Sequence, residues 1–234
     1  MKDKVQKTNA IILFTRIPVP GKTKTRLLPM FTMDECCLLQ SAFLMDVWQV
    51  LTKAKGDCDI IVCYTPEGNL DDLSRLLPGA HLFFPQQGKG IGEKMHNAIC
   101  RALATGYSRC ILVGSDLPLL RSAALDKAFE LLETNDMVLC PTEDGGYYLI
   151  GMKEPCESIF TLKYGISTVF EKTMKAAKAA GKTCATGDST MDIDEPDDIF
   201  RLVEMLKQES DSVCPQTRNV LKKLACKIGT RYVP

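Results

Sequence analysis

The sequence predicts an α/β fold, a single domain with a mainly parallel sheet and helices on both faces. Short apolar runs of strand length alternate along the chain with segments of helical periodicity. This alternation is typical of parallel strands joined by crossover helices that cover both faces of the sheet. The 234 residues, of which 45% are hydrophobic and 25% charged, suffice for one large domain with a sizeable core.

The elements are predicted in order along the chain. The first is a β-branched-rich apolar strand at 9–15, followed by a helix from the capping-box pattern of Thr32 and Glu35 to about residue 54. Apolar runs predict further strands at 59–64, 80–84, 109–113, 136–140 and 146–152. Helical patterns occupy 70–77, 92–105, the segment after 122, 167–180, 196–208 and 217–227.

The C-terminal end of the chain is separated from the rest by a linker-like segment. We therefore expect a domain over residues 1–208, with a linker and a C-terminal helix that packs on it over residues 209–234. The last residues carry no motif. The sequence leaves open whether they only pack on the domain or also contact a second subunit of a homodimer.

Charge and cysteine content restrict the classes of partner and the compartment. The 29 basic residues balance the 29 acidic ones, so neither nucleic acid nor an anionic membrane surface is the expected partner. No apolar run approaches the length of about 18 residues that a membrane span needs, and the N-terminus lacks the apolar core of an export signal. The 11 scattered cysteines are then reduced core thiols, and we expect a cytoplasmic protein.

A rigid, basic loop follows the first strand. In parallel α/β sheets ligands bind beyond the carboxyl ends of the strands, which is where this loop lies. Gly21 allows a sharp turn, and Lys22, Lys24 and Arg26 follow it within five residues. Backbone N–H groups with Lys and Arg side chains suit phosphate oxygens, so we predict a phosphate-binding loop. The alternative is a solvated basic loop.

Three aspartates are candidate metal ligands. Asp116 comes directly after the predicted strand at 109–113, and a carboxylate there can hold Mg²⁺ or Mn²⁺. Asp192 and Asp194 point to the same side of an extended segment, with Ile193 toward the core. A helix cap is the alternative for Asp116 and is a strong alternative for Asp194, which precedes the last long helix.

Two glycine-containing segments are candidate ligand contacts. Gly88 and Gly92 place mobile backbone at a helix start, which suits an anion or the edge of a nucleobase. Gly145 and Gly146 permit close backbone approach to a ligand, although a tight turn would equally explain them. Of the two tyrosines that follow, we expect only one to line the pocket, because successive strand residues point to opposite faces.

Five motifs in this order resemble the bacterial DUF2064 group, also described as radical-SAM/selenodomain-associated transferases. They read PVPGKTKTRL, QGKGIGEKM, GSDLPLL, DGGYYLIG and DIDEPDD, and the resemblance covers roughly residues 9–206. The group belongs to the nucleotide-diphospho-sugar transferase superfamily, which has a GT-A-like, Rossmann-like fold. The first loop also resembles that of phospholactate and molybdenum-cofactor guanylyltransferases.

The resemblance implies a role for each motif. Gly21, Lys24 and Arg26 are expected to bind nucleotide phosphates, Asp116 matches the metal-binding aspartate of the superfamily, and Asp192 is its expected partner. We accordingly take Asp116 and Lys24 as the catalytic residues.

This sequence departs from the pattern of the group at two positions, and both bear on the acceptor. The stretch Asp144, Gly145, Gly146 and Tyr147 is expected to line the acceptor side. Members of the group commonly have Trp-Ser-Thr near position 166 and Arg at position 94, where this chain has Gly-Ile-Ser-Thr at 165–168 and Lys94. These departures leave the identity of the acceptor open.

The implied activity is a Mg²⁺-dependent or Mn²⁺-dependent transferase that uses a nucleotide-activated donor and a small-molecule acceptor. We slightly favour nucleotidyl transfer from an NTP to a phosphorylated acceptor, because three basic residues in one loop suit a triphosphate and its leaving pyrophosphate. Glycosyl transfer from an NDP-sugar is the first alternative. A non-catalytic nucleotide-binding module is the second.

Overall fold

The structure is a computed structural model and describes residues 8–55 and 58–229, so the N-terminus on which the expected lack of an export signal rests lies outside it. The strands are β1 (Asn9–Thr15), β2 (Cys58–Tyr64), β3 (Leu82–Pro85), β4 (Arg109–Gly114), β5 (Met137–Pro141), β6 (Tyr147–Met152) and β7 (Cys184–Thr186). The helices are α1 (Met33–Leu51), α2 (Leu70–Leu76), α3 (Ile91–Ala104), α4 (Ser122–Thr134), α5 (Val169–Ala179), α6 (Pro196–Lys207), α7 (Pro215–Lys223) and α8 (Ala225–Ile228).

These strands form one sheet in the order β3-β2-β1-β4-β6-β5-β7. The pairs of β1 with β2 and β4, of β2 with β3, and of β5 with β7 are parallel, whereas β6 runs antiparallel to both of its neighbours. The prediction of a mainly parallel α/β sheet is confirmed. The carboxyl ends of β1, β2, β3 and β4 meet at one edge of this sheet, so the loops that follow them lie together.

Apolar side chains on both faces of the sheet explain why it forms. On β1, Ile11 and Leu13 pack toward α1 and α4, while Ala10 and Ile12 pack toward α3. A third apolar cluster lies between α1, α6 and α7. The Thr32–Glu35 capping box predicted for α1 is present, with Glu35 N–H donating to Thr32 Oγ1 at 3.3 Å.

Two elements differ from the sequence prediction. Strand β7 was not predicted, because its three residues are partly exposed at the sheet edge and carry no apolar run. The single helix expected at 217–227 is two helices, α7 and α8, which meet at Leu224. Among the described residues, no helix combines the length and the hydropathy that a membrane span requires.

Two buried charged side chains attach the C-terminal segment to the domain. The Asp46 carboxylate on α1 accepts hydrogen bonds from the backbone N–H groups of Gln216 and Thr217, at 3.1 and 2.8 Å, in the first turn of α7. The guanidinium of Arg218, a residue 4% exposed, donates to four backbone carbonyls at the end of α6 and in the segment after it. The charges thus satisfy backbone groups that helix ends leave unpaired. The division of the chain into residues 1–208 and 209–234 stays a prediction.

We expect Arg218→Met to lower the free energy of unfolding by about 2–4 kcal/mol, because it leaves several buried carbonyls without a donor. The melting temperature should fall by about 4 °C or more. Lys222→Met removes the same charge from an exposed position of the same helix and should change stability by less than about 0.5 kcal/mol. Equal melting temperatures for the two variants would contradict the anchoring role of Arg218.

Candidate active site

The basic loop after β1 delivers one lysine into the interior of the site. A turn closed by the Lys22 N–H and the Val19 carbonyl at 3.0 Å reverses the chain near Gly21. Lys24 then adopts a left-handed backbone conformation, with φ of 50°, before a 3-10 turn at Thr25–Leu27. That conformation costs a non-glycine residue about 1 kcal/mol, so surrounding contacts must hold it. The Lys24 side chain is only 4% exposed, whereas those of Lys22 and Arg26 are 62% and 65% exposed.

The buried ammonium of Lys24 joins two of the predicted metal ligands. Its Nζ lies 3.0 Å from Asp116 Oδ1 and 3.2 Å from Asp194 Oδ1, and it also donates to the carbonyl of Ile193. Arg26 Nη1 lies 3.6 Å from the other carboxylate oxygen of Asp194. Three segments distant in sequence therefore meet at one cation: the first loop, the end of β4 and the segment before α6.

Asp192 and Asp194 lie on the same side of their segment as predicted, because both line the cavity while Ile193 between them is fully buried. The interpretation of Asp194 as the N-cap of α6 is wrong. Glu195 is the N-cap and forms a capping box with Asp198, whose carboxylate also accepts the Asp194 N–H. The Asp194 carboxylate is therefore free to pair with the cations of the first loop.

The Asp192 carboxyl is half-buried and lies near two other carboxylates. Burial, and after it the negative charges of Asp144 and Asp194, raise the pKa of the Asp192 carboxyl to about 6. The nearby Lys24 acts in the opposite direction and only partly offsets them. An added cation would relieve this accumulation of charge.

The site is a cavity of about 870 Å³ at the carboxyl edge of the sheet. Six cationic side chains contribute to its wall, namely Arg16, Lys22, Lys24, Arg26, Lys89 and Lys94. Four carboxylates share the wall, namely Glu67, Asp116, Asp192 and Asp194. Arg16, Lys89 and Lys94 form no ion pair with any residue in the described ranges. The wall therefore carries an excess of positive charge that suits a polyanionic ligand.

The glycine-rich segment contributes its helix start rather than the two predicted glycines. Gly90 is the N-cap of α3, and Gly90, Ile91 and Lys94 line the cavity. Gly92 instead packs tightly, because a Cβ atom there would lie 2.1 Å from the Phe160 carbonyl oxygen. Gly88 does not line the cavity either. The two glycines that were predicted to contact the ligand therefore lie in the segment beside the cavity but do not form its wall.

The predicted acceptor-side stretch is a tight turn that holds a neighbouring loop. Asp144 Oδ1 accepts hydrogen bonds from Thr142 Oγ1 and, at 2.9 Å, from the Gly146 N–H. Gly145 has φ of 87°, and a Cβ atom there would lie 1.9 Å from the Ser167 carbonyl oxygen. The close approach that requires glycine is thus to the 165–168 segment, and neither Gly145, Gly146 nor Asp144 lines the cavity.

Both tyrosines that follow this turn line the cavity, so the expectation that only one does so is wrong. They still point to opposite faces of the sheet. Tyr147 contacts Tyr164, with their hydroxyl oxygens 3.1 Å apart, and Tyr148 donates to the Asp188 carbonyl at 3.2 Å. The cavity reaches both rings because it extends over the end of β6.

Sequence reasoning missed a buried polar network beneath Asp116. Gln40 on α1 donates to Ser115 Oγ at 3.1 Å, and Thr15 Oγ1 lies 3.0 Å from the same oxygen. Ser115 Oγ in turn lies 3.5 Å from Asp116 Oδ1. A buried glutamine on an otherwise apolar face of α1 was the available signal. This network fixes the orientation of the strand end that presents Asp116.

The three predicted metal ligands suit a divalent cation in chemistry, although Lys24 occupies the space between two of them. Carboxylate oxygens are the ligands that Mg²⁺ and Mn²⁺ prefer. Within residues 8–55 and 58–229, no group of three His, Cys, Asp or Glu side chains is arranged to hold a metal ion. A cation held by Asp116, Asp192 and Asp194 therefore requires the Lys24 ammonium to move away from Asp116 and Asp194.

A mainly parallel sheet with a basic loop after its first strand and carboxylates opposite that loop defines a nucleotide-diphospho-sugar transferase fold. The structure superposes with a TM-score of 0.85 on a protein from Desulfovibrio desulfuricans G20 assigned as a nucleotide-diphospho-sugar transferase. The two are 28% identical, over 97% of this chain and 99% of that one. The DUF2064 family model, described as "Uncharacterized protein conserved in bacteria", matches residues 49–164. The family-model match and the structural likeness agree with the resemblance that the five motifs indicated.

Two further proteins are similar to this chain. A 3-phospho-D-glycerate guanylyltransferase from Phenylobacterium zucineum (strain HLK1) is 29% identical over 185 residues, which are 76% of this chain and 83% of the relative. Rv0371c from Mycobacterium tuberculosis H37Rv, solved in complex with manganese, matches with a TM-score of 0.51 and 14% identity over 85% of this chain and 99% of that one. The second likeness is one of fold alone.

We expect Asp192→Asn to stabilise the protein without metal at pH 7.5. The pKa of about 6 in the folded protein exceeds the ordinary value of 3.8, so the folded carboxylate is penalised above pH 6, and the penalty disappears as pH falls toward 4. The free energy of unfolding should rise by about 1 kcal/mol, after discounting for the partial exposure of the carboxyl, and the melting temperature should rise by about 2–4 °C.

Melting curves between pH 4.5 and 8, in the presence of a chelator, measure this effect. Asp188→Asn, which neutralises an exposed aspartate of the same loop, is the matched control and should show no such pH-dependent gain. A gain from Asp192→Asn that is constant with pH would contradict the raised pKa.

Proposed function

We propose that this protein transfers the nucleotidyl group of an NTP, with GTP as the expected donor, to the phosphate of a small acid of the 3-phosphoglycerate type. The observation that carries the proposal is the six-cation wall around one cavity, with Lys24 buried between Asp116 and Asp194. A triphosphate and an anionic acceptor together bring far more negative charge than a sugar nucleotide and a neutral acceptor. The base and the acceptor come from the named activity of the relative from Phenylobacterium.

The reaction exchanges one phosphoanhydride for another. An oxygen of the acceptor phosphate attacks the α-phosphorus, a new P–O bond forms, and the bond to the β-phosphate bridging oxygen breaks with release of pyrophosphate. A phosphate monoester has its second pKa near 6 and is largely ionised at pH 7, so the nucleophile needs no protein base. Neither of the two histidines lines the cavity, which suits such a nucleophile.

The loop residues act on the leaving group. Lys22, Lys24 and Arg26 hold the β- and γ-phosphate oxygens and thereby orient the α-phosphorus toward the acceptor. Lys24 leaves Asp116 and Asp194 for the phosphates when the nucleotide binds, because phosphate oxygens offer it a stronger and better charged partner. Arg26 is already beside Asp194 and needs only to swing outward.

Asp116, Asp192 and Asp194 are the residues that would hold a divalent cation, Mg²⁺ or Mn²⁺. When bound, this ion supplies neutralisation of charge on the transferred phosphoryl group and on the leaving pyrophosphate. The carboxylates of Asp116 and Asp194, released by Lys24, keep the cavity close to neutral once the ion is present.

The comparisons support a transferase rather than a non-catalytic module. Glycosyl transfer is the second candidate, favoured by the assignment of the similar protein from Desulfovibrio. We also propose a cytoplasmic location, where nucleoside triphosphates are available. The homodimer and the expected absence of nucleic-acid binding stay predictions.

Purified protein with a divalent cation, GTP and 3-phosphoglycerate should release pyrophosphate in proportion to acceptor, and mass spectrometry should show a guanosine diphosphate ester of the acceptor. CTP, UTP and ATP are compared under the same conditions, as are GDP-sugars. Release of GDP from a sugar nucleotide, with no pyrophosphate from any NTP, would instead establish glycosyl transfer.

Asp116→Asn should lower the turnover number by at least about 100-fold while the melting temperature stays within a few degrees, because a metal ligand is lost and the shape is kept. Asp126→Asn neutralises a half-buried aspartate on α4 that does not line the cavity, and it should retain wild-type turnover. Wild-type activity in Asp116→Asn would remove Asp116 from the metal site.

A further inference from the structure

One buried glutamine ties together the ends of three strands beside the cavity. The Gln86 backbone N–H donates to the Tyr64 carbonyl at 2.7 Å at the end of β2. Its side-chain Nε2 donates to the Thr15 carbonyl at 3.0 Å, at the end of β1, and lies 3.4 Å from the Cys63 carbonyl. Gln86 is only 9% exposed and nevertheless contributes to the cavity wall.

These contacts fix which way the amide faces. Both side-chain partners are backbone carbonyls, which only accept hydrogen bonds, so the NH₂ group must face them and the oxygen must face away. Oε1 receives no hydrogen bond from the described part of the chain, and it is not among the fully buried atoms that lack a partner. Gln86 therefore presents a preoriented hydrogen-bond acceptor that remains accessible from the cavity.

The position of Gln86 in the sheet separates it from Asp116, which lies at the end of β4 and pairs with Lys24. The sheet order places β2 and β3 on one side of β1, and β4, which leads to Asp116, on the other. Thr65, at the end of β2, adds a second uncharged group on the Gln86 side, where its N–H also donates to the Thr15 carbonyl at 3.1 Å. In the proposed function the phosphates bind the first loop, and the base extends toward the β2 and β3 side, where Gln86 and Thr65 are uncharged polar groups of the wall beside Glu67 and Lys89.

We propose that Gln86 determines the base specificity of the enzyme by accepting a hydrogen bond from the Watson–Crick edge of guanine through Oε1. This inference rests on the proposed function, in which the donor is a nucleoside triphosphate. Guanine presents the N1–H and N2–H₂ donors at positions 1 and 2 of that edge, where adenine presents the N1 acceptor and C2–H. The N6–H₂ donor of adenine lies at position 6, so in this proposal Oε1 faces positions 1 and 2. A fixed acceptor therefore attracts guanine and repels adenine, and the lost hydrogen bond leaves a buried oxygen unpaired.

The Gln86→Met variant, which preserves the side-chain size but removes the acceptor, tests the proposal. The dissociation constants of GTP and ATP are measured calorimetrically in the presence of Mn²⁺. We expect the preference for GTP over ATP to fall at least about tenfold, the effect of one specific base contact. Gln40→Met is the matched control, because it removes a second buried amide from the same cavity wall. It should weaken both nucleotides alike and leave their ratio within about threefold.

If Gln86 only held the strand ends together, Gln86→Met would weaken the binding of GTP and of ATP equally. That result would overturn the proposal. Should Gln86→Met fail to fold, analogues bound to the wild-type protein decide. N1-methyl-GTP blocks the edge donor and should bind at least about tenfold more weakly than GTP, whereas 7-deaza-GTP, altered on the opposite edge, should bind within about threefold. Equal binding of N1-methyl-GTP and GTP would overturn the proposal.

The binding measurements separate this inference from the proposed reaction. Selective GTP binding that depends on Gln86, without pyrophosphate release, would support base recognition and contradict nucleotidyl transfer. Pyrophosphate release with an undiminished GTP preference in Gln86→Met would support the reaction and contradict the role of Gln86.

Discussion

The ion cluster around the Lys24 ammonium is the interaction on which the site depends. It holds together the first loop, the end of β4 and the segment before α6, whose carboxylates lie 3.0 and 3.2 Å from the lysine nitrogen. With a side-chain exposure of 4%, this ammonium is poorly screened by water, so its removal would leave Asp116 and Asp194 facing each other. The same contacts hold the left-handed backbone of Lys24, which in turn aims the loop.

The cluster also explains how an anionic substrate can enter a site rich in carboxylates. Without a nucleotide, Lys24 and Arg26 neutralise Asp194, and Lys22 lies 3.9 Å from Glu67. In the proposed reaction, triphosphate oxygens would attract these same cations outward and expose carboxylates that a divalent ion could bind. In that proposal the substrate and the metal would favour each other's binding, because each takes one partner of the same ion pairs.

Much of the fold and of the candidate site could be predicted from the sequence, because the sequence signals for these parts are local. The apolar run before the basic loop gives β1 and the position of the proposed phosphate site, and the alternation of Asp192, Ile193 and Asp194 gives the common side of the two aspartates. The N-cap assignment of Asp194 failed because two acidic residues compete for that position, and Glu195 with Asp198 satisfies both ends of the capping box.

Other features depend on distant contacts and could not be predicted. From the sequence, Gly145 suggests a site where a ligand approaches the backbone. In the structure the group that approaches Gly145 closely is the Ser167 backbone, 22 positions away. Gln86 looks like an ordinary residue of a polar loop, and only the convergence of three strand ends fixes its amide. Pairing across the sheet, rather than composition, assigns these roles.

Crystals grown with Mn²⁺ and a non-hydrolysable GTP analogue would test the exchange of partners at Lys24 most directly. Anomalous diffraction at the manganese edge locates the ion independently of the protein density. The exchange predicts a manganese peak bound by Asp116 together with Asp192 or Asp194, with the Lys24 ammonium on a phosphate oxygen. A bound nucleotide with Lys24 still between Asp116 and Asp194, and no manganese at these carboxylates, would contradict it.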